Sequence, residues 1–115
     1  MARRLKVQPP LESREDSFIR KMYRTAGCTV ITFSQAQKAQ QTAGIPDQLI
    51  FDPKTETFWW QEIKRQQGSE WLKVGHGQSD DQKAFQALVE AFGMEYLLGA
   101  RDVAEAKLRS IGRIV

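Results

Sequence analysis

Apolar residues recur at intervals of three and four in three parts of the chain, residues 11–26, 79–93 and 100–112. This spacing predicts amphipathic helices, because it places the apolar side chains on one helical face. Ser79 followed by Gln82 has the pattern of a capping box, and Gly27 and Gly93 are suitable helix ends. The residues predicted to face the core are Phe18, Ile19, Met22, Tyr23, Ala26, Phe85, Leu88, Val89, Phe92, Val103, Ala106, Leu108 and Ile111.

Four apolar segments between the helices, residues 28–33, 48–51, 58–64 and 94–99, predict β-strands. Turn residues at 52–57 predict that the second and third strands form a hairpin. Residues 34–44 and 65–78 are predicted to be loops. Side chains alternate along the third strand, so that one face carries Phe58, Trp60, Glu62 and Lys64 and the other carries Trp59, Gln61 and Ile63. The order αβββαβ(α) predicts an α/β fold, a three-layer-like sandwich with a mixed central sheet.

Composition indicates one globular domain, since 41% of the 115 residues are hydrophobic and 27% are charged. We assign residues 11–115 to this domain and residues 1–10, with three basic side chains and two prolines, to a flexible basic arm. The single cysteine, Cys28, excludes an internal disulfide and favours a cytoplasmic location. No run approaches the ~20 apolar residues of a membrane span, so no membrane partner is expected. A net charge of +3 and a pI of about 9.2 are compatible with a polyanionic partner without identifying one.

The predicted hairpin brings two acidic residues together. Asp47 precedes its first strand and Glu62 lies near the end of its second, so both should lie at one end of the sheet. Two close carboxylates repel each other, which favours a cation between them. Mg²⁺ suits such a pair because it binds one or two carboxylates together with water and phosphate, and the main-chain carbonyl of Ile63 could add an oxygen.

Lys64 shares a strand face with Glu62, roughly 7 Å along the strand. Its ammonium group could contact an attacking water and offset negative charge that develops on a phosphodiester. A bound metal ion would lower the pKa of that water and polarise the phosphate. Together, Asp47, Glu62 and Lys64 predict a phosphodiester hydrolase.

Four local features have a recognisable combined pattern. They are Glu12–Ser13 opening a helix that reaches a glycine fifteen residues on, Gly44–Ile45–Pro46–Asp47, Glu62–Ile63–Lys64 with its Glu fifteen residues after Asp47, and Ser79 followed by Gln82. The pattern resembles the PD-(D/E)XK nuclease superfamily, and more narrowly its VRR-NUC group, whose members are similar to Holliday-junction resolvases. The resemblance covers about residues 11–98 and implies a restriction-endonuclease-like core.

The resemblance also implies roles for individual side chains. It assigns the metal-binding role to Asp47 and Glu62, the catalytic role to Lys64, completion of the acidic pocket to Glu12, and a place beside the active site to Gln82. The acid of the first helix stays open, because Glu15 lies one turn beyond Glu12 and Asp16 follows directly. The implied cofactor is Mg²⁺, with Mn²⁺ as a substitute.

Several of these residues also have purely structural explanations. Gln82 is the expected partner of Ser79 in the capping box, and Glu12 could complement the helix dipole. His76 has no second histidine or suitable cysteine beside it, so a zinc site is not expected. The predicted nucleic-acid contacts are Arg20, Lys21 and Arg24 on the first helix and Trp71 in the long loop.

The sequence therefore predicts a Mg²⁺-dependent, structure-selective DNA endonuclease. The resemblance implies branched DNA, such as a Holliday junction, as the substrate and a homodimer as the assembly, since a two-fold dimer would present two sites to a symmetric junction. One alternative is a catalytically inactive nucleic-acid-binding module that keeps the nuclease fold. Another is a nicking or restriction-like enzyme with a sequence preference.

Overall fold

The computed structural model describes residues 12–33, 42–64, 66–67, 70–71 and 78–114. The predicted basic arm at residues 1–10 and His76 lie outside these ranges, as do the side chains of Glu12 and Trp71. The helices are α1 Glu12–Thr25, α2 Asp80–Ala91 and α3 Arg101–Ser110, and the strands are β1 Thr29–Thr32, β2 Gln48–Asp52, β3 Thr57–Ile63, β4 Gln66–Gln67, β5 Glu70–Trp71 and β6 Glu95–Gly99.

The main sheet has the strand order β1-β2-β3-β6. The β1–β2 and β2–β3 pairs are antiparallel, and β3 and β6 are parallel. A parallel neighbour requires a crossover connection, and α2 lies within it. The predicted order and the mixed sheet are confirmed. The segment predicted as a loop at residues 65–78 contains one addition, the short antiparallel pair β4–β5.

The principal core lies between the sheet and the layer formed by α1 and α3. Trp59 on β3 makes an edge-to-face contact with Tyr23 on α1, with the ring centroids 5.7 Å apart. On the other sheet face, Trp60 makes the same kind of contact with Phe85 on α2. This confirms the predicted alternation along β3. The core consists of Ile19, Tyr23, Cys28, Val30, Ile50, Trp59, Ile63, Ala104 and Leu108.

Four of the residues predicted to face the core are exposed. Phe18 is 44% exposed, Leu88 56% and Phe92 75%, and on α3 the exposed Ala106 is replaced in the core by Ala104. Periodicity identifies an apolar stripe but does not say how much of it a neighbouring layer covers. Phe18 lies under the guanidinium of Arg101, 4.0 Å from the ring centroid, and is therefore covered by a side chain and not by the core.

No helix in the described ranges is long and apolar enough to cross a lipid bilayer.

Candidate active site

Asp47 and Glu62 lie opposite each other where β2 and β3 separate. The last paired residues at this end of the hairpin are Gln48 and Gln61, and the next position places Asp47 across from Glu62. The Ile63 main-chain N–H donates to Asp47 Oδ2 at 2.8 Å. The carboxylate of Asp47 is thereby fixed against the strand that carries Glu62, as the hairpin prediction required.

Glu62 and Lys64 are both buried on the α2 side of the sheet, with 3% and 7% of their surface exposed. They alternate with Ile63, which belongs to the core on the opposite face. The Lys64 main-chain N–H donates to the Gly99 carbonyl at 3.2 Å, which extends the parallel pairing of β3 with β6. Burial of charged groups is costly unless they interact with opposite charges or ligands, so the placement of these two side chains marks a specialised site.

The turn that carries Asp47 packs directly against the start of α2. Gly44 has a φ of +80°, and a Cβ added there would lie 2.2 Å from the Asp81 carbonyl oxygen and 2.8 Å from the Gln82 nitrogen. Only glycine combines this conformation with such a close approach. Pro46, two residues further on, is fully buried. The segment Gly44–Asp47 therefore fixes Asp47 relative to α2 as well as to β3.

Gln82 performs the structural role that its spacing from Ser79 predicts. Its Oε1 accepts from the Ser79 main-chain N–H at 2.9 Å, and its own N–H donates to Ser79 Oγ at 3.1 Å. The contact of its backbone with Gly44 places it beside the turn that carries Asp47. Gln82 can cap the helix and still lie near the candidate site. Its predicted role at the active site stays a prediction.

The acids of α1 have different surroundings. Glu15 is buried, and its two carboxylate oxygens share a bifurcated hydrogen bond from the single N–H of Arg101 Nε, at 3.0 and 3.1 Å. Asp16 Oδ1 accepts a hydrogen bond from Gln48 Nε2 at 2.6 Å, and Gln48 is the residue that follows Asp47. Burial raises the pKa of Asp16, the Gln48 amide opposes this, and the negative charge of Asp47 raises it further.

Among the α1 acids whose side chains are described, Asp16 is therefore the one beside Asp47. Sequence reasoning gave Glu12 and Glu15 precedence over Asp16, although Asp16 follows Glu12 by four residues and so lies on the same helical face. The predicted role of Glu12 is not tested, since its side chain lies outside the described residues.

Of the predicted nucleic-acid contacts on α1, Arg20 interacts with Asp16. Arg20 is half-buried, with Nη1 3.7 Å from Asp16 Oδ2 and Nη2 donating to Ser17 Oγ at 3.2 Å. Lys21 is exposed, and Arg24 donates through Nη2 to the Val30 carbonyl at 3.2 Å. Arg24 therefore ties α1 to the sheet, whereas the contacts of Arg20 lie within α1.

Tyr96 also belongs to the site, although the sequence gave no reason to select it. It is 7% exposed and pairs in register with Trp60 on the sheet face that carries Glu62. Burial raises its pKa, and the negative charges of Glu62 and Asp47 add to that increase. Alternation along residues 94–99 shows only that Tyr96 and Leu97 point to opposite faces of the sheet. The parallel register of β6 with β3 is needed to place Tyr96 near Glu62 and Asp47.

In the parts of the chain that the structure describes, no three His, Cys, Asp or Glu side chains form a ready metal-binding cluster. The carboxylates available at the end of the hairpin are those of Asp47 and Glu62. Such a donor set has the chemistry of a hard divalent cation that retains several waters, and not that of a zinc centre with three or four side-chain ligands.

The fold of this chain is shared with a solved structure. A solved structure described as "VRR_NUC domain" is similar to this chain with a TM-score of 0.63, and the match covers 86% of this chain and 94% of that one. The sequence identity is 17%, so the likeness is one of fold. The sequence itself matches no protein-family model and no curated protein. The VRR-NUC fold and the restriction-endonuclease-like fold class predicted from the sequence are confirmed.

Proposed function

We propose that this protein is a Mg²⁺-dependent DNA endonuclease that hydrolyses phosphodiester bonds at branched or otherwise structured sites. The observation that carries the proposal is the placement of Asp47, Glu62 and Lys64 at one end of the β2–β3 hairpin in a nuclease-family fold. The register of the hairpin places the acids opposite each other, and strand alternation places the lysine on the same face as Glu62.

The residues present fit a magnesium ion. Asp47 and Glu62 supply two carboxylates, the number that Mg²⁺ commonly takes from protein, and the Ile63 carbonyl is the further candidate oxygen. One oxygen of Asp47 accepts the Ile63 N–H, which leaves its second oxygen for a ligand. When bound, the ion would acidify water and polarise the phosphate, and Mn²⁺ would substitute for it. Asp16 is the described α1 acid that could complete the pocket.

Lys64 is the residue we assign to the reaction itself. Its ammonium group holds the attacking water and offsets the negative charge that develops on the phosphate oxygens. An oxygen–phosphorus bond forms from that water, which releases a proton to the solvent. The bond from phosphorus to the leaving oxygen breaks, and the leaving oxygen takes up a proton from the solvent. Burial of Lys64, which follows β3 and is bonded through its main chain to β6, limits competing water and strengthens this interaction.

The decisive experiment is cleavage of labelled four-way junctions, flaps, linear duplex and single strands in Mg²⁺ or Mn²⁺. We expect cutting of the branched substrates, and we expect Lys64→Ala to lower turnover by about 10²-fold or more while DNA affinity changes little. Lys54→Ala is the matched control, because Lys54 lies in the exposed turn at the far end of the same hairpin. Absence of cutting of every substrate in both metals would refute the enzyme proposal.

A second candidate is a catalytically inactive nucleic-acid-binding module. It is favoured by the lack of a three-acid cluster among the described residues and by the pairing of Arg20 with Asp16. Calorimetry separates the two candidates, since a working site binds a divalent ion and loses it in Asp47→Ala. The nicking or restriction-like alternative differs only in substrate, and mapping of cuts on linear duplex distinguishes it.

We further propose that the protein acts as a homodimer. Support comes from large apolar side chains that are exposed on the α2 side of the sheet, namely Ile31, Phe51, Phe58, Leu88 and Phe92. A two-fold dimer would carry two sites, matching the two strands that a symmetric junction requires to be cut.

A further inference from the structure

Tyr96 occupies a position from which it can act on the acidic pair. It lies on β6 directly beside Trp60, and the next residue on the same face, Leu98, lies directly beside Glu62. Tyr96 is therefore the diagonal neighbour of Glu62, a spacing across which aromatic side chains can interact. With 7% of its surface exposed, the phenol is fixed within the layer between the sheet and α2.

The oxygen of Tyr96 is held from the side of α2. Gln78 Nε2 donates to the Tyr96 hydroxyl at 3.1 Å and to Gln86 Oε1 at 2.8 Å. Gln78 directly precedes Ser79, the N-cap of α2, and Gln86 lies within that helix. Two glutamines therefore connect α2 to the phenol oxygen. Because this oxygen accepts a hydrogen bond from Gln78, its own proton remains available for donation.

The negative charges of Glu62 and Asp47 both affect the hydroxyl of Tyr96. Burial raises the pKa of Tyr96, and Glu62 and then Asp47 contribute to the same direction. The hydroxyl and the two carboxylates belong to residues on the same side of the sheet, the side that faces α2. Of the two, Glu62 is the closer in the sheet, since it lies on the strand that pairs with β6.

We propose that Tyr96 is a positioning residue that donates its hydroxyl proton to the Glu62 carboxylate and fixes the orientation in which Glu62 binds a divalent cation. This inference rests on the proposed metal site. Partners that orient a metal-binding carboxylate commonly change cation affinity by about 10- to 100-fold when they are removed. Gln78 would contribute indirectly to the orientation of Glu62, because its hydrogen bond fixes the hydroxyl of Tyr96.

Calorimetric titration of the folded protein with Mg²⁺, repeated with Mn²⁺, tests this inference without reference to cleavage. We expect Tyr96→Phe to weaken cation affinity by about 10-fold or more while the protein stays folded. We expect Gln78→Ala to weaken it in the same direction but by less, because the hydroxyl remains and loses only its fixed orientation. A thermal unfolding curve of each variant verifies the fold.

Tyr23→Phe is the matched control. Tyr23 is also a buried tyrosine with a raised pKa, but its hydroxyl donates to Gln61 Oε1 at 2.7 Å on the opposite face of the sheet. We expect this variant to lower the melting temperature and leave cation affinity unchanged. Equal affinity of Tyr96→Phe and wild type, or an equal loss in Tyr23→Phe, would overturn the inference. A wild-type protein that binds neither cation would overturn the metal site first, and this inference with it.

Discussion

Asp52 illustrates how a single buried carboxylate is kept charged. It ends β2 with 1% of its surface exposed, and burial alone would raise its pKa. The Arg113 guanidinium, the Thr55 hydroxyl at 2.6 Å and the Lys54 main-chain N–H act against burial and hold the pKa at about 2. One of the bonds from Arg113, through Nε, measures 3.0 Å. The interactions therefore outweigh desolvation, and the charged form is the stable one in the folded protein.

We predict that Asp52 makes the stability of the protein depend on acid. Because its pKa is lower when folded than the ordinary value of 3.8, its contribution is present above that value and is lost as the pH falls towards 2. Asp52→Asn should lower the free energy of unfolding by on the order of 2 kcal/mol at pH 7 and by much less near pH 2. Denaturant unfolding at both pH values measures this.

The control for this prediction is Asp102→Asn, at an exposed acid in the first turn of α3. We expect its effect to stay within about 0.5 kcal/mol, as is usual for surface substitutions. If Asp52→Asn cost the same free energy at both pH values, the ion pair with Arg113 would not be the cause.

At the scale of elements, the relation between the Gly44–Asp47 turn and α2 sets the geometry of the site. Gly44 allows the turn to lie against the backbone of Asp81 and Gln82, and the capping box of Ser79 and Gln82 fixes where α2 begins. The capped start of α2 therefore limits how closely the turn that carries Asp47 can approach the helix. Displacement of either element would change the distance between the two carboxylates.

We predict that Gly44→Ala is much more harmful than Gly93→Ala. Both glycines have a φ of +80°, so both substitutions incur the left-handed backbone cost of about 1 kcal/mol. Only at Gly44 does the new Cβ collide with backbone, which should add about 1–3 kcal/mol and displace Asp47. Thermal unfolding and divalent-cation affinity measure the two effects, and equal results for the two variants would contradict this account.

Local patterns predicted the three helices, the four strands of the main sheet and the placement of three side chains at the candidate site. Alternation along β3 and the turn at residues 52–57 were enough to bring Asp47 opposite Glu62 and to place Lys64 on the same face. Tyr96 could not be predicted, because its approach to Glu62 depends on a parallel pairing that forms across the whole α2 crossover. Asp16 was not preferred over its neighbours, because its selection depends on a hydrogen bond from Gln48, which is distant in sequence.

At the scale of the whole molecule, one side is more apolar than the other. Phe58 shares a face with Trp60, and Phe51 pairs with Phe58. Leu88 lies on α2, on the same side of the sheet, and Phe92 is the C-cap of that helix. The five exposed side chains on this side, which are 38–75% exposed, offer on the order of 500 Å² in total. That is comparable with the apolar share of the ~800 Å² that each partner buries in a standard interface.

We predict that Phe92→Glu abolishes the homodimer proposed for the wild-type protein and leaves monomers. A charge at the most exposed apolar side chain would have to be desolvated on association, while the monomer tolerates it. Phe18→Glu is the matched control, since Phe18 is 44% exposed but lies on α1, on the other side of the sheet. Sedimentation equilibrium over a range of concentrations measures the association, and a wild-type protein that stays monomeric throughout would contradict the homodimer.

The register of the β2–β3 hairpin also determines which face of the sheet carries the candidate site. A slip of one residue would turn Glu62 and Lys64 towards α1 and bring Ile63 to the opposite side, because successive side chains point to opposite faces. A chain with mispaired strands would therefore lose its acidic pair and its lysine together. For the endonuclease proposed above, an error in this register would therefore give inert protein and not an enzyme with altered selectivity.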